Sequence, residues 1–203
     1  MAGAANSLTL GDGRTARRDR NRLAVLDAVI ELFADNVEPS PEVVAQRCSL
    51  SPRSVYRYFA DRDELMRAAI EYQLECVRPF FVIHALGEGP LEERITRFAT
   101  SRVSLYLVVA NVARAARARA RRDATIAERV KATHVALREQ CARHFALELG
   151  ALDDETRGSV LGAVDALTQF EALDFLVAAH EMDPDELRRT LSVALRRLLF
   201  PSP

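Results

Sequence analysis

The sequence predicts an all-α protein, and three observations lead to that prediction. Hydrophobic residues make up 49% of the 203 residues, but aromatic residues only 6%, and Trp is absent. Ala, Leu, Arg and Glu, which are good helix formers, dominate the chain. Gly and Pro number only 8 each, and apolar residues recur three and four positions apart, as on one face of a helix. The length allows one large domain or two small ones.

Charge is distributed unevenly along the chain, although the net charge is only −1. Residues 14–22 carry five Arg and one Asp, and residues 112–131 carry seven basic and two acidic residues. Residues 148–186 carry one Arg and eleven acidic residues. A basic front end with an acidic back end indicates that one part of the protein meets a polyanion.

Several function classes leave no trace in the sequence. An odd number of widely spaced cysteines favours free thiols in a reducing cytosol. The N-terminus has no apolar signal core, and no stretch approaches 18 consecutive apolar residues, so we expect a cytoplasmic protein that does not enter a membrane. We expect no enzyme and no cofactor, because phosphate-binding and nucleophile motifs are absent. We also expect no metal, because the spacing of the four His residues suits none.

The first sixty residues predict short helices behind a flexible basic arm. Residues 1–13 are expected to be disordered, and the arm extends to residue 18. The first helix follows, and its apolar positions end at Phe33, before a break at Asp35-Asn36. Two Ser-Pro pairs then predict two helix starts, with Ser40 and Ser51 as N-caps.

Longer helices are predicted for the rest of the chain. Asp61 caps a fourth helix through Cys76, with Glu64 completing a capping box, and Pro79 kinks or ends it. "GEGP" at residues 87–90 is the clearest break. Pro90 starts a helix whose end is blurred in the Ala/Arg-rich run that follows. Further helices are predicted over about 125–149, about 154–179, and from Asp183-Pro184 to the C-terminus.

The two short helices between Pro41 and Phe59 have the pattern of a helix-turn-helix. That motif needs a small residue where the helices cross and a turn-tolerant residue four positions later. Ala45 and Ser49 stand at these positions. The same pattern also fits an ordinary αα-hairpin, and the spacing by itself does not separate the two.

The stretch "VVAQRCSLSPRSVYRYFADRDELMRAAI" resembles the signature of the TetR family of bacterial transcriptional repressors. Cys48-Ser49 stand where that family has Ala-Gly, and Arg62 stands where it has Lys. The resemblance is specific over residues 19–70, and the C-terminal helices are similar in arrangement. It implies an N-terminal three-helix DNA-binding domain over residues 19–60 and a larger helical effector-binding and dimerisation domain over residues 61–203.

The chemistry of the third helix agrees with contact to double-stranded DNA. Arg can bond guanine in two places in the major groove, while hydroxyl groups and further cations suit phosphates. Tyr56 either faces the duplex or packs under the first helix. The predicted DNA-binding residues are Ser51, Arg53, Ser54, Tyr56, Arg57, Tyr58 and Arg62.

Two Arg-rich segments have two interpretations each. The five Arg between positions 14 and 22 form either an arm along the DNA or a solvated tail. The run 114–122 is either a second nucleic-acid patch or, as is commoner, a solvated helix face.

The family resemblance also implies a homodimer and a small-molecule effector. The helix over about 154–179 is apolar on several sides and must bury more than one of them, which favours a partner beyond its own core. The resemblance implies that this helix and the last one, about residues 154–199, form the dimer interface. A palindromic operator would be bound by the dimer and released when an effector binds. Effector-pocket candidates are Tyr72, Phe80, Phe98, Tyr106, His134 and Phe170, each of which also fits plain core. The alternative is a helical ligand-binding or protein-interaction module without DNA binding.

Overall fold

The computed structural model describes residues 8–35 and 37–200, and over these ranges it contains helices and no strand. The all-α prediction is therefore confirmed. A short 3-10 turn, Arg78–Phe81, follows the fourth helix. The α-helices in chain order are α1 Leu8–Ala34, α2 Pro41–Arg47, α3 Pro52–Tyr58, α4 Arg62–Val77, α5 Leu91–Ala120, α6 Ala124–His144, α7 Ala146–Gly150, α8 Asp154–Thr168, α9 Phe170–His180 and α10 Pro184–Leu199.

The chain divides into two compact units, and the boundary lies between Glu75 and Cys76. The sequence placed the domain boundary before α4, between residues 60 and 61. In the structure most of α4 counts with the first unit, and its Leu65 and Ala69 are buried. A unit of about forty residues can bury only a small core, and the apolar stripe of a fourth helix enlarges that core.

The predicted basic arm differs from the structure where the two can be compared. Helix α1 begins at Leu8, so residues 8–18 are helical and not a flexible arm. The prediction of disorder for residues 1–7 lies outside the described residues. Ala and Arg are strong helix formers and fill much of the segment before Leu26. A helix nucleated further along the chain therefore extends readily in the N-terminal direction.

The predicted helix starts depend on side-chain caps, and the structure contains them. Ser40 and Ser51 each accept a hydrogen bond from the backbone N–H three residues later, and Pro follows each cap as the first helical residue. Asp61 accepts one from Glu64 N–H at 2.7 Å. The carboxylate of Glu64 accepts from the N–H of Ala60, one residue before the predicted partner.

In the second unit α5, with 30 residues, is the element on which the others pack. It contacts α6, α9 and α10. The core around it includes Ile95, Phe98, Val103, Cys141, Phe145, Val164 and Leu173. The apolar stripe of α10 is buried in this same core through Leu187, Leu191, Leu195 and Leu199. These leucines are thus already covered within one chain.

Two predicted long helices are interrupted in the structure. The helix predicted over about 154–179 is two helices, because Gln169 has an extended backbone with φ −76° and ψ 161°. Just before it, the hydroxyl of Thr168 donates to the carbonyl of Val164 at 2.9 Å, a bond that competes with regular helix geometry. The helix predicted over about 125–149 breaks at Phe145. Neither break contains Gly or Pro, so no helix-breaking residue in the sequence indicates where these helices end.

A buried network of hydrogen bonds and one ion pair joins the start of α5 to the end of α6. Arg94 is only 2% exposed and forms a two-point ion pair with Glu148. Its guanidinium also donates to the carbonyl of His144 at 2.9 Å. In return, His144 Nε2 donates to the carbonyl of Arg94 at 3.0 Å, and His144 Nδ1 accepts from Gly87 N–H at 3.1 Å. Both ring nitrogens are therefore satisfied by a neutral imidazole.

Stability should fall in mild acid because of His144. Burial lowers the pKa of His144 below its ordinary 6.5, and the charges of Arg94, Arg97 and Arg102 lower it further. In mild acid His144 is therefore protonated in the unfolded chain but still neutral in the folded chain. We expect the free energy of unfolding to be constant above about pH 7 and to decline below pH 6.5 by up to about 1.4 kcal/mol per pH unit from this group.

The measurement is urea unfolding of the wild type and of His144→Gln across this pH range. The variant should be less stable at pH 7, but its free energy of unfolding should change less with pH. His84→Gln, at an exposed histidine, is the matched control and should keep the wild-type slope. Equal slopes for the wild type and His144→Gln would contradict the assignment.

Candidate nucleic-acid interface

The turn between α2 and α3 has a left-handed residue at the predicted position. Ser49 has φ +56°, a conformation that side chains rarely adopt. The N–H of Leu50 bonds the carbonyl of Ala45 at 2.9 Å, and the N–H of Ser49 bonds that of Gln46 at 3.3 Å. This pair of bonds is a Schellman motif. It ends α2 sharply, and Ala45, 1% exposed, lets α3 pack closely on α2.

Helix α3 has an apolar side and an exposed side. Val55 and Phe59 are buried at 1% and 2% exposure. Arg53 and Arg57 are exposed, and Tyr56 is 50% exposed, so Tyr56 is not simply packed under α1. Within the described part of the chain, Arg53 makes no hydrogen bond or ion pair. The exposed side of α3 therefore presents an uncommitted guanidinium beside a phenol.

The two serines of α3 are coupled to each other. Ser51 Oγ accepts from Ser54 N–H at 3.2 Å, and the two hydroxyls lie 2.9 Å apart. Ser51 is therefore occupied as the cap of α3. Ser54 lies one turn along the helix and keeps hydrogen-bonding capacity for a partner.

Tyr58 joins the end of α3 to α1 through polar contacts. Arg57 donates to the Tyr58 hydroxyl at 3.0 Å. Burial raises the pKa of Tyr58, but hydrogen bonds with Arg57 and Asn21 and the charges of Arg57 and Arg18 outweigh it, so the net pKa is lowered. The phenol thus lies in a positive environment, which suits an anion such as a phosphate. Asn21 was not among the predicted site residues, because nothing in its sequence position signals the contact.

Arg62 has a structural role that the sequence did not indicate. Its Nε donates to the carbonyl of Pro39 at 2.9 Å, and a terminal nitrogen bonds the carboxylate of Glu38. Arg62 therefore ties the α1–α2 loop to the start of α4. Similarly, Arg47 pairs with Glu31 and Asp35, so this guanidinium is also committed within the first unit.

The basic segment of α1 is exposed where its side chains are described. Arg17, Arg18 and Arg20 are exposed, and the guanidinium of Arg22 lies 5.3 Å from the centre of the Phe59 ring. The side chain of Arg14 lies outside the described residues. The segment is helical, so its exposed cations are distributed around a helix and not along a flexible tail.

Three of the predicted pocket residues come together on α5, α6 and α9. The Tyr106 hydroxyl donates to Asp174 at 3.0 Å, and its ring lies 5.6 Å from that of Phe170. Arg114 bonds the same carboxylate. His134 belongs to the same neighbourhood, because Arg117 lies 3.1 Å from its Nε2 and stacks on Phe170. We name these residues the α5–α9 polar cluster.

Part of the Arg run 114–122 is therefore engaged within the chain. Arg114 pairs with Asp174 and Arg117 with Glu171, whereas Arg121 and Arg122 are exposed. The guanidinium groups of Arg114 and Arg117 are thus held in ion pairs, although the side chain of Arg114 remains 40% exposed. Their acidic partners come from the strongly acidic stretch of the sequence, at positions that only the crossing of α5 and α9 reveals.

The other three pocket candidates lie elsewhere. Phe98 is fully buried and stacks on His144 and Phe145, so it is core. Tyr72 lies on α4 in the first unit, and Phe80 is 43% exposed on the 3-10 turn. Within the described ranges, no group of three or more His, Cys, Asp or Glu is placed to hold a metal ion. None of the described helices is both long and apolar enough to cross a membrane.

Comparison with known proteins identifies the fold. No family model and no curated protein matches the sequence. The structure is similar to the crystal structure of a Rhodococcus sp. protein classed as a TetR-family transcriptional regulator, with a TM-score of 0.64 and 20% sequence identity. The match covers 89% of this chain and 99% of the Rhodococcus chain. The chain has the TetR fold. The resemblance seen in the sequence over residues 19–70 thus extends in three dimensions over most of the protein.

Within this TetR fold, the backbone of Ser49 is strained, and the cost of that strain can be measured as a change in the free energy of unfolding. A left-handed residue other than Gly costs about 1 kcal/mol, and the Ser49 side chain is exposed. We expect Ser49→Gly to raise the free energy of unfolding by about 0.5–1 kcal/mol, measured by urea unfolding. Ser101→Gly, the same change inside α5, should lower it by a similar amount. Destabilisation by Ser49→Gly would show that the turn is not strained.

Proposed function

We propose that the protein is a TetR-like transcriptional regulator, acting as a repressor, that binds a palindromic operator as a homodimer. The observation that carries this proposal is the exposed side of α3. It follows a Schellman turn, presents Arg53, Tyr56 and Arg57 to solvent, and belongs to a chain with the TetR fold. Enzymatic activity has no part in the proposal, and the site of action is the cytoplasm.

The residues of α3 divide between reading bases and positioning the protein. Arg53, in the first turn and unpaired within the described chain, suits bidentate contact to guanine O6 and N7. Ser54 and Tyr56 suit nearby base edges or phosphates. The Arg57–Tyr58 pair, in its positive environment beside α1, suits the DNA backbone. Arg62 would act indirectly, by holding the loop before α2 in place.

Dimerisation is proposed through the exposed faces of α8 and α10. The leucine stripe of α10 is consumed within one chain, but Val193 on its outer face is 56% exposed and Leu167 on α8 is 37% exposed. Gly158 and Gly162 on α8 have no atom within 4 Å of a built Cβ position, so a second helix can approach closely there. A dimer also places two short recognition helices on one operator, and their binding energies then combine.

Regulation is proposed to follow a population shift driven by a small molecule in the second unit. The effector would prefer the conformer whose recognition helices do not match successive major grooves. Tyr106, His134 and Phe170, gathered in the α5–α9 polar cluster, are candidates for its lining. Helix α4 extends across the boundary between the units and would transmit the shift.

DNA binding should depend on salt and on Arg53. The probe is a duplex from the region upstream of the protein's own gene, followed by fluorescence anisotropy. The logarithm of the binding constant should fall steeply and linearly with the logarithm of salt concentration. Arg53→Ala should weaken binding about ten- to a hundredfold and relax the preference at one base position.

Arg143→Ala, which removes an exposed cation from α6, is the matched control and should bind as the wild type does. Arg57→Ala and Tyr58→Phe should weaken binding to specific and unrelated duplexes alike. If these two variants and Arg53→Ala all bind like the wild type, α3 is not the reading helix, and a module without DNA binding becomes the better description.

If α8 and α10 form the dimer interface, a charged residue in place of Val193 should favour the monomer. In a symmetric interface each substitution is repeated across the two-fold axis, so Val193→Arg places two like charges close together. We expect the dimer dissociation constant to rise at least about tenfold, measured by sedimentation equilibrium. Leu147→Arg, at a residue 71% exposed on α7, is the control and should leave the dimer intact. A wild-type monomer, or equal effects of both variants, would count against this interface.

A further inference from the structure

Arg102 is a buried cation without a carboxylate partner. It lies on α5, is 2% exposed, and donates to Gln140 Oε1 at 2.7 Å and to the carbonyl of Leu137 at 2.9 Å. Both acceptors are neutral. Among the described residues no carboxylate forms an ion pair with this guanidinium, whereas the buried Arg94 on the same helix has Glu148. Uncompensated buried charge is costly, so proteins retain it mainly where it has a task.

One donor of Arg102 has no acceptor. Its Nε is fully buried and bonds to no atom of the described chain, while the guanidinium stacks on the Phe98 ring at 4.4 Å. Burial lowers the pKa of Arg102 to about 10, which leaves it charged at neutral pH. A buried N–H without an acceptor is rare in folded proteins. The Nε atoms of Arg119 and Arg188 also lack an acceptor in the described chain, but those side chains are partly exposed. Arg102 is the one of the three whose whole side chain is buried.

A second unsatisfied atom lies at the α8–α9 break. Gln169 Nε2 donates to Asp165 at 2.6 Å, which fixes the amide, but Gln169 Oε1 is buried and accepts no hydrogen bond within the described chain. The break itself gives this residue an extended backbone. A donor without an acceptor and an acceptor without a donor are thus present in the same unit.

The contacts place the two residues, Arg102 and Gln169, in the same part of the second unit. Arg102 precedes Tyr106 by one helical turn, about 6 Å along α5. The Tyr106 ring lies 5.6 Å from that of Phe170, and Phe170 directly follows Gln169. Asp165, the partner of Gln169, is also close enough to influence the charge of Arg102. The aromatic rings of this region are Phe98, which packs against the guanidinium of Arg102, Phe170, which packs against that of Arg117, and Tyr106.

We propose that Arg102 and Gln169 bind an aromatic hydroxy-carboxylate, whose carboxylate accepts from Arg102 Nε and whose hydroxyl donates to Gln169 Oε1. The inference rests on the proposed function only in treating this ligand as the effector. The site adjoins the α5–α9 polar cluster and shares Tyr106 and Phe170 with it. The arginines of that cluster, Arg114 and Arg117, already have the carboxylate partners Asp174 and Glu171, so Arg102 is the cation left for a carboxylate ligand.

Neighbouring groups favour an anion at Arg102. Asp165 is neutralised by Arg138 at 3.2 Å, so its own charge is compensated. The Cys141 thiol, another neighbour of Arg102, is fully buried, and burial raises its pKa to about 12. It is therefore neutral and cannot serve as the counterion. The net charge near Arg102 remains positive, which attracts a carboxylate over a neutral isostere.

The test is calorimetric titration of the full-length protein, without DNA, with 4-hydroxybenzoate, benzoate and methyl 4-hydroxybenzoate. We expect 4-hydroxybenzoate to bind at least about tenfold more tightly than either the methyl ester or benzoate, because each of these lacks one charge-assisted or hydrogen-bonding group. Arg102→Met should abolish the preference for the carboxylate over the ester. Gln169→Leu should abolish the preference for the hydroxy acid over benzoate.

The controls separate recognition from folding. Arg143→Met, at an exposed position on α6, should bind all three compounds as the wild type does, and circular dichroism verifies that each variant is folded. If Arg102→Met does not fold, Gln169→Leu still decides, because Gln169 is only partly buried. Equal binding of ester and acid, retention of both preferences in the variants, or binding of none of the compounds overturns the proposal.

Failure of the proposed function is distinguishable from failure of this site. If the protein binds DNA but none of the carboxylates, the ligand site is wrong and the proposed regulator function still holds. If the protein binds 4-hydroxybenzoate with the expected preferences but does not bind DNA, the ligand site is supported and the proposed regulator function is wrong. If both hold, 4-hydroxybenzoate should release the wild type, but not Arg102→Met, from its operator duplex.

Discussion

The second unit depends on one constraint: α5 is surrounded by other helices, so its polar side chains must find partners inside the protein. A buried polar group without a partner costs free energy comparable to several good contacts. Arg94 meets the constraint through Glu148 and the carbonyl of His144. These bonds hold the start of α5 against the end of α6 and the start of α7, so the same side chain satisfies its own charge and fixes how these helices pack.

Further along α5 the constraint is met differently. Tyr106, Arg114 and Arg117 draw their partners from α9, through Asp174 and Glu171. The crossing of α5 and α9 is therefore fixed by charged contacts as well as by apolar packing. Arg102 is the exception, because its partners are neutral and one donor has none. Arg119 on the same helix also has a buried Nε without an acceptor in the described chain, but its side chain is partly exposed, whereas Arg102 is buried as a whole. A fully buried donor without an acceptor is where a ligand would gain most by binding.

The first unit is organised by short-range signals. Each of its short helices starts at a Ser-Pro pair, and the sharp end of α2 depends on the left-handed Ser49. Such signals act within four or five residues, so the pattern of the sequence was enough to predict them. The exposed side of α3 followed from the same pattern, because Val55 and Phe59 define the buried side. Asn21 beside Tyr58 and Glu38 beside Arg62 were missed, because each contact depends on how α1 or its loop is placed against α3 and α4.

The sequence by itself determined the all-α class, the two short helices with the turn between them, and the helix caps, since all of these follow from periodicity and local hydrogen bonding. It assigned the last helix to the dimer interface, whereas the leucine stripe of α10 is buried in the core of one chain. Tertiary structure decided the rest. The breaks at Phe145 and Gln169 contain no Gly or Pro that would predict them. The first lies beside His144, whose carbonyl accepts from Arg94 of α5, and the second follows side-chain bonds within α8. Three of six pocket candidates came together and three did not, because a stripe of large residues predicts burial but not the neighbour that covers it. Arg102 was not singled out from the sequence, although it lies between Phe98 and Tyr106 on the apolar stripe of α5. Only the packing of α6, α8 and α9 around it decided that its charge has no carboxylate partner, because ion pairs between helices depend on three-dimensional proximity and not on spacing along the chain.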